Sequence, residues 1–121
     1  MPEAETDQGL PLRPRDYLIL VALSGGELHG YALIREIEGL TGAGVRMDPA
    51  NLYRALRRLV DQGLVAESES RRAPDADDER RRYYAVTEAG RRVASAEARR
   101  LERLTAVARQ RRLLPRRNPG R

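Results

Sequence analysis

The apolar positions of this chain fall into successive blocks, each with its own period. The first, "DYLILVALSGG" (16–26), is apolar on nearly every side from Tyr17 to Leu23. A run this short fits a buried helix or a buried strand. Asp16 as a cap and the Gly25–Gly26 stop favour the helix. Its all-round apolarity asks for cover on more than one face, which a second subunit would supply. The next block, "LHGYALIREIEGLTG" (28–42), places Leu33, Ile34, Ile37 and Leu40 on one helical face and Arg35, Glu36 and Glu38 on the other. The third, "DPANLYRALRRLVDQGLV" (48–65), predicts a helix over 49–62 with Leu52, Leu56 and Leu59 on one side. Asp48 can cap it, Pro49 suits its first position and Gly63 suits the turn just past its end. Ala50, Arg54, Arg57 and Asp61 lie opposite the leucines, flanked by Asn51 and Arg58.

After Gly63 the period changes. "LVAESESRR" (64–72) alternates as an edge strand does, "APDADDE" (73–79) reads as a loop, and "RRRYYAV" (80–86) resumes with β-favouring residues. Two strands around a polar loop make a hairpin. Neighbouring strand side chains point to opposite faces, so one of Tyr83 and Tyr84 should be buried, and the expectation is Tyr84. Thr87 can cap a last helix from about Glu88 to Leu114. Gly90 is a poor helix former in that first turn, which predicts a close packing contact there. Pro115 ends the helix.

The fold class predicted is mostly α with a small β-hairpin: a winged helix-turn-helix domain plus a long C-terminal dimerisation helix. The expected organisation is a flexible arm over 1–12, the winged domain over 13–86, the dimerisation helix over 87–114 and a basic disordered tail over 115–121. In such a domain the third helix enters the major groove and the loop reaches the backbone or the minor groove.

Composition sharpens this picture. The net charge is +5, and all 23 basic residues are arginine, whose fork matches phosphate oxygens and guanine edges. Coding bias could explain arginine over lysine, but not where the arginines stand. With neither Phe nor Trp the core is modest, and with no Cys neither a disulfide nor a thiolate metal site can support it. Oligomerisation is the remaining route. No apolar run is long enough to span a membrane, and the acidic N-terminus lacks the pattern of a signal peptide, so the expected location is cytoplasmic.

On the third helix, Asn51 can bond adenine and Arg54 and Arg58 can bond guanine in the groove. Tyr53 can donate to a phosphate, and Arg57 shares the outward face. Tyr31 serves equally well as a core residue with a wet hydroxyl. A purely solvated amphipathic helix is the bland alternative, and the following hairpin and the overall charge favour DNA. At the wing, four acids over 75–79 would be repelled by phosphates, whereas Arg71, Arg72, Arg80, Arg81 and Arg82 stand at its base. The base is therefore expected on the backbone and the acidic tip turned away. His29, the sole histidine, lacks partners for catalysis or metal binding and reads as structural at the start of helix two.

"YLILVALSGGELHGYALIREIE" (17–38), "NLYRALRRLVDQGLV" (51–65) and "RRRYYAVTEAGRR" (80–92) together resemble the PadR family of transcriptional regulators. The motifs are "HGY" (29–31), the leucine–tyrosine run ending in "GLV" (52–65) and "YYAVTEAGR" (83–91). Each is weak alone, but their order and spacing are specific. The length and single C-terminal helix look like the short subfamily. The resemblance implies a homodimer in which the last helix packs on the partner's first helix. It also implies repression by operator binding, often relieved by a small molecule.

The residues add their own support for a dimer. Val93, Leu101, Leu104, Val107, Ala108 and Leu114 give the last helix an apolar side with little domain left to cover it, and the over-apolar first helix offers Tyr17 and Val21. Each can satisfy the other across a two-fold axis. Arg99, Arg100 and Arg103 read as that helix's solvated face. The function expected is a sequence-specific regulator, a repressor on a pseudo-palindromic operator. Its partners are double-stranded DNA, a second copy and a small-molecule effector, with no cofactor and no membrane. The competing reading is a winged helix that binds another protein. An enzyme is disfavoured, because no nucleophile–base pair, metal cluster or phosphate loop is present in the sequence.

Overall fold

The computed structural model describes residues 10–42, 44, 46–69 and 82–116. The elements run α1 (Pro14–Leu23), β1 (Leu28–His29), α2 (Gly30–Leu40), α3 (Pro49–Asp61), β2 (Val65–Glu69), β3 (Arg82–Val86) and α4 (Glu88–Gln110). Three helices enclose a core of Ile19, Leu20, Leu23, Leu33, Ile37, Leu52, Leu56 and Leu59, closed on one side by Val65 and Tyr84 of the sheet. Tyr84 is buried as expected, and that burial raises its phenol pKa.

The sheet is antiparallel with order β1-β3-β2. The expected hairpin is present, pairing Val65 with Val86 and Glu67 with Tyr84. A third strand was not expected: Leu28 pairs with Tyr84 and His29 with Tyr83 on the other edge of β3. Two residues are too short to show an alternating period, and helix two accordingly starts at Gly30 rather than Leu28.

The caps explain most boundaries. Asp48 accepts from the amides of Ala50 and Asn51, His29 Nδ1 accepts from the Ala32 amide, and Thr87 Oγ1 accepts from the Gly90 amide at 3.0 Å. Asp16 is a correction. α1 begins at Pro14, with Arg13 as its N-cap and no side-chain cap. Proline's preset φ starts the helix at Pro14, with Arg13 rather than Asp16 as its cap, which places Asp16 inside the first turn. Gly63 takes φ 78°, and the Gly63 and Leu64 amides return to Val60 and Leu59, the bonding that closes a helix through a left-handed residue. α4 ends the same way at Arg112, with φ 65° and Leu113 N bonded to Ala108 O at 2.8 Å. It therefore stops at Gln110, short of Leu114.

Gly90 makes the close contact expected of it: a Cβ there would lie 2.2 Å from the Leu64 carbonyl oxygen. Leu40 departs from expectation. It is the last residue of α2 and half exposed, because nothing among the described residues covers that final turn. Within α4 only Gly90, Val93 and Glu97 are buried, so the helix packs on the domain through its first half alone.

Glu97 was not singled out by its sequence context. It is 2% exposed and takes two hydrogen bonds from Arg100, at 2.9 and 2.7 Å. The Leu12 amide also donates to it. Arg100 is thus held in an ion pair rather than standing free on a solvated face. The Arg100 bonds and the Leu12 amide keep the Glu97 carboxyl below its ordinary pKa, against the opposing effect of burial.

Candidate nucleic-acid interface

α3 buries Leu52, Ala55, Leu56 and Leu59 and turns its other face outward. Tyr53, Arg54 and Arg57 are exposed there, and Asn51 and Arg58 are half-buried. The Arg54 guanidinium donates to Asn51 Oδ1, one turn back on the same helix. An asparagine that bonds adenine uses both its oxygen and its amide nitrogen; here the Arg54 bond occupies that oxygen.

Tyr53 has two roles to reconcile. Its ring is 44% exposed, yet its hydroxyl lies where a Cβ on Gly30 would sit, 2.0 Å away. Gly30 therefore leaves the space that seats Tyr53 against the start of α2 and fixes the crossing of the two helices. Tyr31 is 66% exposed, so the core alternative for it does not hold. His29 stands at the start of α2, as expected, where it caps the helix, and its ring stands edge-on to Tyr83 at 5.5 Å.

Arg58 faces a different environment from Arg54. Its Nη2 donates to Asp16 Oδ1 at 2.6 Å, joining α3 to the first turn of α1. Beside this pair lies a cleft of about 550 Å³ lined by Arg13, Arg15, Asn51, Arg54 and Ala55. Arg13 and Arg15 are exposed and were not named from the sequence. Their one signal is that "RPR" (13–15) opens α1 with two arginines around its first proline.

At the wing, Arg82 pairs with Glu67 across the two strands. Arg71, Arg72, Arg80, Arg81 and the acidic run 75–79 lie outside the described residues. Of the expected dimer residues, Tyr17 and Val21 border a groove of about 210 Å³ between α1 and α4, with Val86, Ala94 and Ala98. Leu101 and Ala108 are half-buried. Leu104 and Val107 are 54% and 40% exposed on the unpacked half of α4. Among the described residues no cluster of potential metal ligands occurs, and no helix is long and apolar enough to cross a membrane.

Comparison with known proteins gives the same architecture. A transcriptional regulator from Clostridium thermocellum superposes with a TM-score of 0.67 at 24% identity, covering 79% of this chain and 87% of that one. A PadR family transcription regulator from Clostridium difficile has the same TM-score at 21% identity, covering 79% and 95%. Bacillus subtilis PadR in complex with operator DNA matches with a TM-score of 0.60 at 23% identity, over 71% of this chain and 47% of that one. In sequence, an uncharacterized 37.1 kDa protein from a Streptomyces fradiae transposon is 39% identical over 88 residues, which are 73% of this chain. This chain spans only 23% of that protein's length. The transcriptional regulator PadR-like family matches residues 19–96, the stretch that runs from the core of α1 through α3 and the sheet into the packed half of α4; the chain belongs to that family.

Proposed function

We propose that this regulator acts as a homodimer that represses transcription by occupying a pseudo-palindromic operator and is released by a small molecule. Family membership carries the general part, DNA-binding transcriptional regulation. The observation that supports sequence reading is the outward face of α3. Asn51, Tyr53, Arg54 and Arg57 stand on a helix whose opposite side is anchored by fully buried leucines. A rigid scaffold under exposed arginines, with a half-buried asparagine beside them, suits base reading in the major groove. Arg80, Arg81 and Arg82, at the base of the wing, contact the backbone in this reading, with Arg82 exchanging Glu67 for phosphate.

The dimer reading rests on Leu104 and Val107, large apolar side chains left uncovered on α4, and on the groove beside Tyr17 and Val21, which has room for an apolar side chain of a second copy. Two copies related by a two-fold axis cover both at once and present two α3 helices to half-sites about one helical turn apart.

The test is fluorescence anisotropy with the duplex upstream of the protein's own gene against a scrambled duplex, at two salt concentrations. A preference that survives the higher salt supports specific regulation. Equal affinities that fall together as salt rises reduce the protein to a polycation on a polyanion.

A further inference from the structure

Among the arginines of α3, Arg58 is the one whose charge is already answered. Asp16 is 94% shielded, with 6% exposure, and its carboxylate meets Arg58 Nη2 at 2.6 Å across 42 residues of sequence. It is the third residue of α1, in the first turn, where the free amides of the helix start favour a negative charge. Nothing else described pairs with Asp16, and Arg58 is the half-buried member of an otherwise exposed arginine face. Arg54 differs: its partner is a neutral amide on its own helix, which a base can replace at little cost. Pulling Arg58 toward a base would leave a buried carboxylate without its cation, a costly exchange.

We infer that Arg58 does not read DNA, and that Asp16 is a positioning residue that pins it, fixing α3 against α1 and withholding one positive charge from the duplex. Asp16 thereby lowers the protein's affinity for DNA of arbitrary sequence while leaving Asn51 and Arg54 to discriminate. The inference deepens the DNA-reading proposal and rests on it. Its chemistry is simple. An arginine released into the cleft beside Arg13, Arg15 and Arg54 joins a cluster that attracts phosphate.

The experiment compares the wild type, Asp16→Asn and the double variant Asp16→Asn/Arg58→Met. The probes are a random-sequence duplex and the duplex that the wild type selects from a randomised pool. Neutralising Asp16 frees Arg58, so Asp16→Asn should bind the random duplex more tightly. Its log–log salt slope should steepen by about 0.9, one further phosphate contact. Between about 50 and 200 mM salt its affinity should then fall about 3.5-fold more than that of the wild type, as that slope requires. Its preference for the selected duplex should narrow. The double variant, with neither charge, should return to the wild-type slope and keep the wild-type preference.

A wild-type slope in Asp16→Asn overturns the inference, because the released arginine then finds no phosphate. Loss of preference in the double variant overturns it too, because Arg58 then reads bases. If Asp16→Asn does not fold, the double variant, which leaves no lone buried charge, still decides the matter. A wild type that selects no duplex defeats the DNA-reading proposal itself, and this inference with it; a wild type that selects one leaves the variants to judge the inference alone.

Discussion

Replacing Gly90 with alanine adds one methyl group to the first turn of α4. In an open helix this substitution stabilises by about 1 kcal/mol, because alanine loses less backbone freedom on folding. Here the new Cβ would meet the Leu64 carbonyl oxygen at 2.2 Å and Val86 Cγ2 at 2.8 Å, whereas ordinary contact begins at 3.4 Å. The oxygen cannot step aside cheaply. It belongs to the main chain and accepts the Thr87 amide at 3.1 Å, while Thr87 Oγ1 donates to the neighbouring Gly63 carbonyl at 2.7 Å. Overpacking costs about 1–3 kcal/mol, and a backbone obstacle tied at this corner places Gly90→Ala at the upper end. After the propensity gain, the net loss is about 2 kcal/mol. For a domain of this size that lowers Tm by roughly 8 °C. Gly39→Ala in α2 is the matched control, since nothing lies within 4 Å of its added methyl; it should raise Tm by a few degrees at most. Both are read by thermal unfolding at one fixed protein concentration, because a dimer's Tm varies with concentration. If Gly90→Ala melts at or above the wild-type temperature, the corner is softer than these contacts require and the reasoning fails.

Arg112 holds a left-handed φ of 65° with a side chain that glycine would not have, so Arg112→Gly should stabilise by about 0.5–1 kcal/mol; a lower Tm would mean that the arginine side chain contributes more than its backbone strain costs. The Glu97 carboxyl is held below its unfolded pKa, so its stabilisation is complete above the ordinary carboxylate range and disappears as pH falls through the folded value. Glu97→Gln should therefore be less stable than wild type at neutral pH and converge with it in acid, as urea titrations across pH will register; a constant gap would remove the ion pair as the cause. Arg54→Ala should cost about 1–3 kcal/mol of discrimination between selected and scrambled duplexes, and equal losses on both in anisotropy titrations would deny it base reading.

The order of the helices and of the hairpin was legible because each of them carries a local signal. Leucines at helical spacing mark α3, Asp48 and Gly63 mark its ends, and Thr87 marks the start of α4. Even the tight contact at Gly90 could be foreseen, since a glycine in a helix's first turn needs a reason. β1 could not, because two residues display no period. The long-range pairs were hidden for a different reason. Nothing near Asp16 indicates that Arg58 will meet it, and a carboxylate just before an apolar run looks like a cap wherever it goes. Pro14 was the clue that it is not one. Glu97 lay in a helix crowded with charges, where i,i+3 pairs are ordinary, and no local pattern shows that the distant Leu12 amide joins Arg100 at its carboxylate. The outward face of α3 was readable as a set, but periodicity does not separate an arginine that is free from one that is held.

The half-packed α4 has a mechanical consequence. Residues 98–110 extend past the last buried position, Glu97, and at about 1.5 Å per residue they form a lever roughly 20 Å long. In the proposed dimer that lever connects two reading heads, with its pivot at Glu97, the last position of α4 buried against the domain. Tilting it by about 10° displaces its far end by about 3.5 Å, close to one base-pair step. A molecule wedged into the groove beside the pivot would not need to touch the DNA face. A small rotation there would put the two heads out of step with their half-sites, and the duplex would be released by geometry rather than by competition.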